Sequence, residues 1–303
     1  MKVAVMGAGA VGCYYGAMLA RAGHAVTLIG RPVHVEAVRR NGLIFESSGF
    51  HGPVAMQATT EASGVADADL VLFCVKSTDT GSAGRAIATF LKPDATVLCL
   101  QNGVDNAERL QAVITQPAVP AVVYVASEMI GPGHVRHNGR GELIIGPSPV
   151  SDTIAAHFNA AAVSTTVSAN VIDALWVKLV TNCAYNALSA VGEISYGPLL
   201  ATAGVAEVMR SVIGECRAVA QAKGLSLPSD LEDTTIGLAA TMPDQYSSTA
   251  QDLMRSKPTE IDYLNGYVAR TGAALGIPTP VNLALQVIVK LREARQAASA
   301  PRS

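Results

Sequence analysis

The stretch KVAVMGAGAVGCYYGAMLARAGHAVTLIGR, residues 2–31, decides the fold. It sets out an apolar run (KVAVM, 2–6), glycines spaced G-x-G-x-x-G (Gly7, Gly9, Gly12), a helical pattern closed by Gly23, and a second apolar run (AVTLI, 25–29). A glycine triplet alone is a weak signal. One that follows a strand, opens a helix and leads into a second strand has the context of a dinucleotide-binding unit. Gly7 permits the tight turn, Gly9 lets the backbone approach a pyrophosphate, and Gly12 lets the helix pack on the sheet. With Ala8, Ala10 and Val11 they form a loop and first helical turn whose N–H groups and partial positive charge suit a diphosphate. A tight strand-to-helix turn with no ligand is the competing reading.

The end of the second run selects between the two nicotinamide dinucleotides. An NAD site places Asp or Glu there, to accept from the ribose 2′-hydroxyl. This chain has Gly30-Arg31-Pro32, and its first nearby acid is Glu36, inside the next helical pattern. A carboxylate would repel a 2′-phosphate, whereas a guanidinium binds it with charge-assisted hydrogen bonds. The expected cofactor is therefore NADP(H), with a solvated arginine at a strand end as the bland alternative.

Outward from this stretch, DLVLFCV (69–75), ATVLCL (95–100) and VPAVVYVASEM (119–129) read as further strands with helical patterns between the first of them. Such alternation implies a parallel sheet covered on both faces. GPGHVRHNGRGELIIG (131–146) has turn residues at both ends and in its middle, and reads as a hairpin closing the sheet. From about residue 170 the patterns are helical only, with Gly224 and Gly276 at helix ends and Pro258 and Pro278 as punctuation. The expected fold is α/β: a Rossmann-type dinucleotide-binding domain over 1–168, then an all-helical domain over 169–303. The last residues, ASAPRS, read as a frayed tail.

Composition excludes several classes. Charged residues are 15% of the chain and the formal net charge is −2 with no block of like charges, against a nucleic-acid partner. So low a charge density fits surface hidden in a domain interface or a homodimer. Five scattered cysteines without a C-x-x-C pair read as buried thiols in a reducing cytosol. No run is long enough to span a membrane, and a cytoplasmic location is expected. His134 and His137 make H-x-x-H with no third ligand nearby in sequence, so no metal site is expected.

LWVKLVTNCAYNALSA (175–190) carries the chemistry. At helical spacing Lys178, Thr181, Asn182, Tyr185, Asn186 and Ser189 share one face, and apolar residues cover the remainder. The stripe could be a solvent face, but solvent faces favour Glu, Lys, Arg and Gln. Asn, Thr, Ser and Tyr gain more from specific hydrogen bonds, so a site is the preferred reading. Hydride delivery to a ketone builds negative charge on its oxygen. The Lys178 ammonium could stabilise that charge and supply the proton. Lys76 and Asn102 directly follow apolar runs, at the C-terminal strand ends where α/β sheets bind ligands. Glu260 is expected in the first turn of the helix after Pro258, and Ser248 in a polar loop before it.

Together the glycine loop with Arg31, CVKS at 74–77, QNG at 101–103, WVKLVTNCAYNALSA at 176–190 and TEIDYLNGYV at 259–268 resemble the ketopantoate (2-dehydropantoate 2-) reductases, nearly end to end and in order. The resemblance implies NADPH-dependent reduction of 2-dehydropantoate to (R)-pantoate, on the way to pantothenate and coenzyme A. It implies Lys178 as general acid, Asn102 touching cofactor and substrate, and Lys76 beside the nicotinamide ribose. Asn182 and Asn186 would hold the substrate with help from Ser248, and Glu260 would bind near Lys178 and the ligand. Ala126 would line the nicotinamide pocket. Where the family often has another asparagine, this chain has Tyr196, which bears on the choice of 2-keto acid. A reductase of other branched 2-keto acids and a non-catalytic NADP-binding regulator are the alternatives.

Overall fold

A computed structural model describes residues 1–299. Of the expected frayed tail, Ala298 and Ser299 instead continue the last helix, and positions 300–303 lie outside the described residues. The chain divides into two compact units, Met1–Ala174 and Leu175 to the end.

The first unit holds β1 (Lys2–Met6), α1 (Ala10–Arg21), β2 (Ala25–Ile29), α2 (Pro32–Asn41), β3 (Leu43–Ser47), β4 (Phe50–Val54) and β5 (Gln57–Thr59). It continues with β6 (Leu70–Phe73), α3 (Thr80–Ala88), β7 (Thr96–Cys99), α4 (Asn106–Gln111), β8 (Ala118–Gly131), β9 (His134–Ile145), α5 (Ser151–Ala160) and β10 (Thr165–Val167). The strands form one sheet in the order β4-β3-β9-β8-β7-β6-β1-β2-β5, with β10 alongside β9. From β5 to the start of β8 neighbouring strands pair in parallel. All four residues of β6 (LVLF) and of β7 (TVLC) are buried, as expected of strands covered on both faces. Alternation sends Val3, Val5, Leu70, Leu72 and Leu98 into one core and Ala4, Val71, Phe73, Val97 and Cys99 into another. All five cysteines are free thiols, four of them buried.

The hairpin expected over 131–146 forms differently. β8 pairs antiparallel with β9 along almost its whole length, and the chain turns between Gly131 and His134. The glycine-rich middle, Gly139-Arg140-Gly141, is a distorted strand rather than a turn: all three residues have positive φ, and the register shifts twice opposite them. Bulges absorb the extra residues, and glycine tolerates the backbone they require. Gly141 also admits Tyr14, whose hydroxyl would stand 2.3 Å from a Cβ there.

Helix α6 (Val171–Gly192) runs from the end of the first unit into the second, which adds α7 (Tyr196–Ala201), α8 (Val205–Ala222), α9 (Leu231–Thr241), α10 (Ser248–Met254), α11 (Asn265–Leu275) and α12 (Pro280–Ser299). Trp176, Leu179, Val180, Cys183, Ala184 and Ala187 of α6 are buried, as are Met209, Ile213 and Cys216 of α8, and the Cys183 and Cys216 thiols meet. Asn265 donates to the Cys183 carbonyl and to the Asn282 side chain, tying α11 and α12 to α6. The Glu215 carboxylate accepts from the N–H groups of Val281 and Asn282 at 2.8 and 2.9 Å. An anion there suits the positive end of α12 and satisfies donors that a helix start leaves unpaired. Among the described residues no helix is long and apolar enough to cross a membrane.

Candidate active site

The parallel register gathers the candidates of the first unit. Ile29, Met6, Phe73 and Cys99 occupy one rung across β2, β1, β6 and β7. Gly9, Lys76 and Asn102 each stand three residues beyond that rung, and Arg31 stands two beyond it. The loops therefore leave the carboxyl edge at the same height, where open α/β sheets bind ligands.

The glycine loop fits a diphosphate. Gly7 has φ +110°, and a Cβ there would come within 2.7 Å of the Cys74 backbone. A Cβ on Gly12 would strike the Gly7 carbonyl at 2.3 Å, whereas Gly9 is exposed and faces open space. Gly7 and Ala8 direct their N–H groups to the Ile29 carbonyl, which seats the turn on β2. Gly9 caps α1 without a side-chain hydrogen bond among the described residues, so the first-turn donors around Ala10, Val11 and Gly12 suit an external anion. Burial pushes the nearby Cys74 thiol well above its usual range, which keeps it from acting as a nucleophile. Arg31 is exposed at the N-cap of α2.

Behind Lys76 and Asn102 lies a buried network that a linear reading of the sequence misses. The Asn106 amide donates to the Asn102 carbonyl at 2.6 Å and to Ser77 Oγ at 3.2 Å. Ser77 Oγ also donates to the Asn102 carbonyl at 2.9 Å. Thr80 donates to Asn106 Oδ1, Gln101 donates to Thr80 and to the Val75 carbonyl, and Arg109 donates to the Ser77 carbonyl. Ser77, Thr80, Gln101 and Asn106 are all buried. The network welds the Lys76 loop to the Asn102 loop. Its only trace in sequence is the density of small polar residues after each apolar run. Ala126 is half-buried on β8 opposite Gly139, between two register shifts.

The remaining candidates belong to the second unit. The polar stripe of α6 is not a solvent face. Tyr185 is buried, donating to the Ile236 carbonyl and accepting from the Ala239 N–H of α9. Ser189 donates to the Ile194 carbonyl and accepts from the Ser247 N–H. These two are packing contacts. Lys178 and Asn182, one turn apart, stay half-buried, and the buried Asn186 donates to Ser248 Oγ at 3.4 Å.

Two local expectations are corrected. Ser248 is not in a loop: it opens α10, with Ser247 as the N-cap accepting from the Ala250 N–H. Glu260 is not in the first turn of an α-helix. It precedes a short 3-10 turn, Ile261–Tyr263, and α11 starts only at Asn265. The reason is local capture of the backbone: Thr259 donates its N–H to Glu293 and accepts from the Ile261 N–H, while Asp262 is held by Gln286 and Lys290 of α12. Tyr196 is buried with its ring centroid 4.3 Å from that of Tyr185, and burial raises its phenol above the usual range. His137, half of the H-x-x-H pair, stacks on Tyr14, while His134 lies with Glu46 and His51.

The fold and its glycine loop define the Rossmann-type class. Residues 3–149 match the family model "Ketopantoate reductase PanE/ApbA", and 170–293 match its C-terminal counterpart. A 2-dehydropantoate 2-reductase of Halobacterium salinarum is 34% identical over 305 residues, covering 97% of this chain and 99% of that one. One from Pyrococcus horikoshii is 30% identical, covering 97% and 98%. The crystal structure of a PanE/ApbA family ketopantoate reductase from Ralstonia eutropha JMP134 is 56% identical, with a TM-score of 0.96 over 98% of this chain and 100% of that one. The chain belongs to the ketopantoate reductase family of oxidoreductases.

Proposed function

We propose that the chain reduces 2-dehydropantoate to (R)-pantoate with NADPH, as a cytoplasmic step toward pantothenate and coenzyme A. The observation that carries this reading is α6, where Lys178 and Asn182 stay half-buried on one face beside an Asn186 already bonded to Ser248. Relatives of near-equal length bear the name of the same activity. The open, uncapped start of α1 suits the diphosphate, and Arg31 supports NADP(H) over NAD(H) through its charge at the strand edge. When bound, the dinucleotide supplies the hydride that adds to the keto carbon.

Lys178 holds the proton that the keto oxygen takes up, and its ammonium offsets the charge developing there. Glu260 fixes that lysine and contacts the ligand. Asn102 and Lys76 bind the nicotinamide end, with Ala126 lining its pocket. Asn182, Asn186 and Ser248 orient the substrate, and Tyr196 bounds the space for its side chain. A homodimer is part of the proposal, supported by the low charge content and an exposed apolar face on α12.

The test is NADPH oxidation with ketopantoate beside a panel of branched 2-keto acids. Ketopantoate should lead. Lys178→Ala should lower kcat about 10²–10⁴-fold while NADPH binding, read by fluorescence, is kept. Near wild-type kcat in that variant removes the general-acid role. A flat panel would move the chain to broader 2-keto acid reduction, with Tyr196 the first residue to exchange. No ketone-dependent oxidation at all would favour a binding protein.

A further inference from the structure

The sheet has a mixed wing, with β3 antiparallel to β4 and parallel to β9, and one face of it carries a polar cluster apart from the candidate active-site residues. Pairing of β3 with β4 sets Glu46 opposite His51. Pairing of β3 with β9 sets Glu46 beside Arg136 and Ile44 beside His134. Because side chains alternate along a strand, His134 shares the face of Arg136. Leu43, Phe45 and Val135 occupy the buried face instead. One donor atom each from Glu46, His51 and His134 lies within 4.8 Å of the others.

The atoms of this cluster are oriented. Arg136 Nε donates to Glu46 Oε1 at 2.8 Å, and its Nη2 stands 3.4 Å from Oε2. His134 Nε2 is shielded from solvent, stands 3.4 Å from Glu46 Oε2, and makes no hydrogen bond to any described residue. The His51 and His134 rings are near-parallel, 6.1 Å apart. A solvent-shielded imidazole nitrogen in ion-pair range of a carboxylate oxygen but without a hydrogen bond, with a second imidazole alongside, has a geometry that one central cation would satisfy.

We propose that Glu46, His51 and His134 bind a divalent transition-metal ion, zinc by the chemistry of the donors, which clips the edge hairpin β3–β4 to β9. Two imidazoles and one carboxylate suit zinc and its neighbours in the first transition row rather than magnesium or calcium, which take oxygen ligands. Tetrahedral zinc needs its ligand atoms about 3.3 Å apart, so the cluster must contract modestly, which the exposed His51 can supply by turning its ring. Water completes the coordination. Arg136 plays two opposed parts: it orients the carboxylate, as partners of metal ligands commonly do, and it sets a like charge close to the ion. The strands bring His134 to ligands that lie 83 and 88 positions before it (134 against 51 and 46), which is why H-x-x-H read alone finds no third one.

The probe is Zn²⁺ alone, titrated by calorimetry into chelator-stripped full-length protein, with Co²⁺ absorption reporting the ligand field. We expect one equivalent per chain and a rise in thermal midpoint on binding. His134→Ala and His51→Ala should each weaken binding more than about tenfold and abolish the thermal shift, with circular dichroism confirming that both variants fold. Arg136→Gln should keep or tighten binding, because the opposing charge is gone. His24→Ala, at a histidine whose ring packs edge-on against His157 rather than in this cluster, should change nothing. No 1:1 binding, or equal affinity in the wild type and both histidine variants, overturns the proposal. The assay reads no turnover, so its outcome is independent of the reductase reading.

Discussion

Arg31 is held at φ −68°, ψ 149° as the last extended residue before Pro32 starts α2. A residue before proline is kept out of the helical region, so the position is fixed by the backbone and not by contacts of the side chain. On the other side, a Cβ on Gly30 would stand 2.5 Å from that of Ala8, so β2 ends hard against the glycine loop. Hydrogen bonds to a charged group contribute about 1.5–3 kcal/mol, roughly ten- to a hundredfold in affinity. Arg31→Asp should therefore raise the Kd for NADPH by at least that factor while changing NADH binding less than about threefold. Fluorescence titration with both cofactors decides this, and equal losses would take Arg31 out of the 2′-phosphate role.

Among the elements, the two loops after β6 and β7 depend on each other. Asn106→Ala removes the donor that serves both the Asn102 carbonyl and Ser77 Oγ, so each loses one hydrogen bond in a buried network while the Ser77–Asn102 bond remains, at a cost of about 1–3 kcal/mol. The expected outcome is a lower thermal midpoint together with kcat/KM for NADPH reduced by about tenfold or more, measured well below the melting transition. A fall in midpoint alone would confine Asn106 to stability. This network also marks where the sequence stops being readable. The glycine loop, β1, β2 and α6 were legible because their signals are local: a glycine spacing, an apolar run, a helical period. Ser77 and Asn106 meet only through the parallel register of β6 and β7. Asn138-Gly139 looks like a hairpin turn until β8 pairs across it, and Glu260 looks helical until Glu293 and Lys290, some 30 residues on, capture its neighbours. The candidate site was legible as residue types, and its supports were not.

For the whole molecule, α12 presents Leu283, Val287, Ile288 and Leu291 at 41–64% exposure, adjacent positions on one face of a helix. A contiguous apolar stripe of this kind marks an association surface more often than a solvent face. Light scattering should give about twice the 31.2 kDa chain mass, and Val287→Lys with Leu291→Glu should shift the protein toward the monomer without unfolding it. A wild-type monomer at micromolar concentration would remove the homodimer from the proposal. The proposed roles, Asn102 apart, would divide along the chain with an evolutionary consequence. The positions assigned to the dinucleotide loop and its phosphate choice all precede Ala174, whereas Lys178, Asn182, Asn186, Tyr196 and Ser248 all follow it. On the proposed assignment, descendants of one gene would drift in the acid they reduce without disturbing the coenzyme they draw on, and a splice between paralogues at this seam should inherit its two preferences from different parents.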